Sequence, residues 1–74
     1  MIVKEFVKHG YKPAEWSGVL QNNVVFYIRY HEGIVTIYIG QNRAYFDIGD
    51  PYDSEMETDV MQELTKYIFD WRFV

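Results

Sequence analysis

The chain has 74 residues, with 7 Lys and Arg against 11 Asp and Glu, no Cys, and a formal net charge of −4. Its length excludes a pair of ordinary domains and most catalytic folds. The missing Cys excludes disulfides and thiolate metal sites, and the acidic balance disfavours a phosphate-binding surface. No apolar run approaches the roughly 20 residues of a membrane span, and Met1 to Gly10 lacks a signal-peptide core. The expectation is one soluble, cytoplasmic domain over residues 1–74, with large aromatics, 19% of the chain, compensating for a small core.

At the N-terminus Ile2, Val3, Phe6 and Val7 fall at helical spacing, and Gly10 can serve as a C-cap. A short helix is expected there, with a strand as the alternative. Lys12 to Trp16 reads as one helical turn with Pro13 near its start. Trp16 to Gln21 reads as an optional strand, turned by Asn22-Asn23 onto Val24.

Val24 to His31 and Ile34 to Ile39 are rich in β-branched and aromatic residues and flank Glu32-Gly33. A two-residue turn there pairs His31 with Ile34, Arg29 with Thr36, Tyr27 with Tyr38 and Phe26 with Ile39. A second turn at Gln41-Asn42 pairs Tyr38 with Tyr45 and Ile37 with Phe46. In this register one face collects Phe26, Ile28, Val35, Ile37, Ile39, Ala44, Phe46 and Ile48. The other face carries Tyr27, Tyr38 and Tyr45 in a row, flanked by Arg29, Thr36, Arg43 and Asp47. A slip of one residue would mix the faces, so the clean separation supports the pairing.

Ser54-Glu55-Met56-Glu57 has the form of a capping box, after a turn at Asp50-Pro51. Apolar residues then recur at Met56, Val60, Leu64, Ile68 and Trp71, with Met61 and Tyr67 widening the stripe, the pattern of a helix of about five turns. The fold class is therefore α+β. A three- or four-stranded antiparallel meander has a C-terminal amphipathic helix, and a short N-terminal helix, packed on one face. This α-β-β-β-α order resembles that of double-stranded-RNA-binding domains. They carry basic residues at the start of the last helix, where this chain has Ser54 to Glu57, so the sign of charge opposes RNA binding.

Charge is unevenly placed. Asp47, Asp50, Asp53, Glu55, Glu57, Asp59 and Glu63 fall in a stretch with no Lys or Arg. Such a surface complements a basic groove on a partner protein. In size and charge the chain resembles small phage-encoded inhibitors of nucleases, and residues encoded by AT-rich codons predominate, as in many mobile elements. The leading expectation is a non-enzymatic binding or inhibitor protein, with Asp50, Asp53, Glu55, Glu57, Asp59 and Glu63 meeting a basic surface of a nucleic-acid-handling enzyme. An alternative is a homodimer or accessory interaction module built on Tyr27, Tyr38, Tyr45, Arg29 and Arg43. Single-stranded nucleic acid stacked on the same tyrosines is a weaker reading, since two arginines neutralise few phosphates. No catalytic residue, metal ligand or cofactor is expected. Ser17 and Ser54 have no neighbouring His in sequence, and His9 and His31 belong to no metal motif.

Overall fold

A computed structural model describes residues 1–74. The element order is β1 (Val3–Tyr11), β2 (Ala14–Leu20), β3 (Val25–His31), β4 (Ile34–Ile39), β5 (Asn42–Asp47) and α1 (Thr58–Thr65). The strands form one antiparallel meander in sequence order. The α+β class holds, but the sheet has five strands, and the expected N-terminal helix is β1.

The N-terminal helical spacing has a specific origin. β1 runs against β2 with register shifts between Val3 and Glu5 and between Lys8 and Gly10. Each shift is a bulge that inserts one residue and resets the alternation. Val3 is fully buried and Phe6 is half-buried against the same core, three positions apart on one strand. The bulge at Lys4 thus gives a strand the spacing of a helix. Gly10 caps nothing; it lies opposite Glu15 within the sheet. Lys12-Pro13 forms the turn between β1 and β2, with a cis peptide bond, in place of a helical turn.

The first predicted hairpin is present as expected, from His31↔Ile34 to Phe26↔Ile39. Glu32 and Gly33 both have positive φ, 51° and 78°, the signature of a type I′ turn. The second hairpin is corrected by two residues. Its closing pair is Ile39↔Asn42, and Tyr38 faces Arg43 while Thr36 faces Tyr45. Gly40, with φ of 58°, takes the first turn position, as in a type II′ turn that requires glycine there. Because the correction is two residues, every side chain keeps its predicted face.

After β5 the chain doubles back across one end of the sheet. The Ile48 N–H donates to the Gly33 carbonyl, the Gly33 N–H to Asp53, and the Ala14 N–H to Ser54. A Cβ on Gly33 would lie 2.3 Å from the Asp50 carbonyl oxygen, so only glycine admits the crossover.

The C-terminal helix is eight residues long, shorter than expected. Ser54 does not cap it. The Ser54 hydroxyl accepts the Glu32 N–H at 3.0 Å, and Glu57 stands at the N-cap in extended geometry with no side-chain cap bond. Of the expected stripe, Met61 is buried and Leu64 and Ile68 are partly buried against the core, whereas Val60 and Tyr67 are exposed, and Thr65 is buried in addition. A threonine can sit there because its hydroxyl donates to the Met61 carbonyl and accepts the Trp71 indole N–H at 3.1 Å. Trp16 anchors the helix start by donating to the Thr58 hydroxyl at 3.0 Å.

The core lies between the sheet and this covering layer. Trp16, Leu20, Phe26, Ile28, Tyr30, Ile37, Met61 and Phe69 are its largest buried members. Phe26, Phe69 and Trp71 pack at centroid separations of 4.8 to 5.9 Å, with Phe6 against Trp71 at 5.1 Å. No helix is long and apolar enough to cross a membrane.

Candidate interaction surfaces

Helix α1 and the C-terminal segment cover one face of the sheet, and the other stays open. Its side chains are set by the strand registers. One row across all five strands is Val7, Ser17, Tyr27, Tyr38 and Arg43; the next is Gly10, Glu15, Arg29, Thr36 and Tyr45. Tyr27 and Tyr38 meet edge to face, with centroids 5.7 Å apart and planes at 72°. Such a cross-strand pair is worth about 0.5–1.5 kcal/mol beyond its buried area. The three-tyrosine row expected from sequence is therefore a pair, because moving the turn to Gly40-Gln41 displaces Tyr45 by one row. Tyr45 remains on the face and is 68% exposed.

Arg29 and Arg43 lie on this face, and neither forms an ion pair. Valines missed as face residues extend it. Val7 is 53% and Val25 62% exposed, and with Val19 they line a shallow groove of about 370 Å³. Its spacing in the sequence places Val7 in the helical stripe. Its place here follows from the bulge at Lys4, and lone bulges leave little trace in sequence.

The acids are spread along the crossover and helix, and several have local partners. Asp47, Asp50 and Asp53 each accept a backbone N–H two residues on, from Gly49, Tyr52 and Glu55. These are Asx turns, in which a short carboxylate replaces a backbone acceptor and shapes the loop. Asp59 accepts the Val60 N–H. Glu63 pairs with Lys66, and Glu55 lies 4.0 Å from Lys12; exposed pairs of this kind contribute about 0–1 kcal/mol. Glu57 makes neither a cap bond nor an ion pair.

Asp53 has a second duty. It accepts the Tyr30 hydroxyl at 3.0 Å. Burial, that hydrogen bond and the negative charges of Asp53, Asp50 and Asp47 push the Tyr30 pKa up to about 12. The first half of the acidic run is thus gathered at one end of the sheet around a buried phenol.

Two serine–histidine contacts escaped the sequence reading because their partners are apart in the chain. The His9 Nε2 meets the Ser17 hydroxyl on the open face. Ser54 Oγ lies 3.3 Å from His31 Nδ1, and His31 Nε2 lies 3.4 Å from Glu32 Oε1. The second series has the residue types of a nucleophilic triad. Ser54, however, is buried and already holds the Glu32 N–H, and no groove of the molecule is lined by it. These contacts fasten the crossover to the β3–β4 hairpin. No three His, Asp or Glu side chains gather in a way that could hold a metal ion.

Comparison of the chain with protein-family models, curated proteins and solved structures finds no match.

Proposed function

We propose that the chain is a non-enzymatic binding protein whose uncovered sheet face docks a partner protein. The observation that carries this is the asymmetry of the sheet. All covering elements lie on one side, while the other presents Tyr27, Tyr38 and Tyr45 with exposed valines and two guanidiniums without carboxylate partners. Tyrosine and arginine supply large contact area and directional donors, and they are enriched where interface energy concentrates. The fitting partner has an apolar patch bordered by carboxylates.

A second reading is favoured by the charge of residues 47–63, which hold seven carboxylates and no cation. In this reading Asp50, Asp53, Glu55, Glu57, Asp59 and Glu63 occupy a basic groove, as an inhibitor of a nucleic-acid-handling enzyme from a phage or mobile element would.

The two are separated by capture from a host lysate with three baits: wild type, Tyr38→Glu with Arg43→Glu, and Glu55→Lys with Asp59→Lys. The open-face reading expects one partner held by wild type and the helix variant but lost by the face variant. Loss only with the helix variant, together with weakening by salt, overturns it in favour of the acidic reading.

A further inference from the structure

β5 is the outer strand of an open sheet, and its sequence is complementary to itself in the antiparallel sense. We infer that two copies of this chain pair β5 against β5 about a two-fold axis at Tyr45, forming a continuous ten-stranded sheet.

The phase of the hydrogen bonds sets which groups are available. The β4–β5 hairpin closes on Ile39↔Asn42, and the Ile48 N–H donates inward to Gly33. Antiparallel strands alternate inward and outward pairs. Asn42, Ala44 and Phe46 therefore bond to β4, and Arg43, Tyr45 and Asp47 turn their N–H and C=O groups away from it. No other strand or segment pairs with β5. A two-fold at Tyr45 places Tyr45 opposite Tyr45 of the second copy, and Arg43 opposite its Asp47. These are the three outward residues, so each facing pair exchanges two backbone hydrogen bonds.

The side chains agree with this register. Arg43, Tyr45 and Asp47 share the open face, where Arg43 and Asp47 have opposite charge and no ion-pair partner within one chain. Pairing creates two cross-strand ion pairs flanking a tyrosine pair. On the covered face Ala44 meets Phe46 of the second copy. Sliding the register by two residues in either direction puts Arg43 or Asp47 opposite Tyr45 and forfeits both ion pairs.

β5 also carries few of the usual protections of an exposed edge, its two charges being complementary across the two-fold. It has no Pro, no Lys and no bulge. β1, the other outer strand, has two bulges, and its start is closed by Asp70, which accepts the Val3 N–H and donates to Met1. This pairing does not rest on the binding reading of the open face.

The test is sedimentation equilibrium of the purified chain with charge exchange. Wild type is expected near twice 8.9 kDa at concentrations above its dissociation constant. Arg43→Asp and Asp47→Arg each set like charges opposite one another and are expected to raise Kd by about tenfold or more. The double exchange Arg43→Asp with Asp47→Arg restores opposite charges and is expected to recover most of the affinity. Circular dichroism checks that each variant remains folded. Amide exchange supplies a second readout: protection of Arg43, Tyr45 and Asp47 rises with protein concentration, whereas Ala44 and Phe46 are protected at any concentration. A wild type that stays monomeric at millimolar concentration overturns the inference. So does a dimer that the single exchanges leave intact, which would use another surface.

Discussion

Tyr30 links the buried core to the acidic crossover. Its ring is buried beneath the sheet, and its hydroxyl ends at Asp53. The phenol is neutral when protonated, so burial and nearby carboxylates favour the protonated form. The folded pKa is raised to about 12 from 10. A raised folded pKa contributes stability that is complete below pH 10 and is lost as pH rises through 12. The midpoint of thermal unfolding is therefore expected to fall between pH 10 and pH 12, and to fall less in Tyr30→Phe. An identical decline in the variant would show that Tyr30 plays no part. At neutral pH the same substitution removes one hydrogen bond to a carboxylate, at a cost of about 1.5–3 kcal/mol.

At the scale of elements, legibility followed the regularity of each hairpin. Glu32-Gly33 has the turn chemistry that type I′ demands, and its register was readable to the residue. At the second hairpin two turns were available, and Gly40 prevailed over Gln41-Asn42 because its backbone admits positive φ. The open tyrosine face survived because the two registers differ by an even number. The N-terminal strand and the helix start were not readable, for one physical reason: tertiary partners overrode a local pattern. Bulges gave β1 helical spacing, and Ser54 left its predicted cap to hold the Glu32 N–H across the fold. The acidic side chains expected to face a partner were legible as a cluster of charge, but their Asx-turn duties depended on a crossover path that periodicity does not reveal.

Gly18 illustrates the same override in β2. It lies between Phe6 and Phe26 in the registers on the covered face. A Cβ there would stand 2.2 Å from the Glu5 carbonyl oxygen and 2.7 Å from the Phe26 ring. The missing side chain is what lets Phe26 lie flat over the strand, against Phe69 and Trp71. Gly18→Ala, normally favourable in propensity, is expected to destabilise the fold by about 1–3 kcal/mol, the usual cost of overpacking. Urea denaturation measures it, and a variant as stable as wild type contradicts the close approach.

Over the whole molecule the two chain ends complete the structure together. The Asp70 N–H donates to the Met1 carbonyl at 2.7 Å, the Val3 N–H donates to the Asp70 carbonyl at 3.0 Å, and the terminal ammonium donates to Ile68. Asp70 also accepts a forked pair of bonds from Arg72, which holds its carboxyl down at about 2. This closure puts Phe69 into the core beside Phe26, and it covers β1 where a free edge would otherwise start. The final residues therefore act as the last piece of the core, although no regular element contains them. Phe69→Ala is expected to cost about 3–5 kcal/mol by transfer and cavity terms. A domain of this size holds only about 5–15 kcal/mol in total and lies at the low end of that range. Urea unfolding should show a midpoint shifted far down, with amide protection lost first at Val3 and Gln21, whose N–H groups bond to Asp70 and Ile2. A loss below about 1 kcal/mol, or protection unchanged at those two amides, would mean that the C-terminal segment merely rests on a sheet that folds without it.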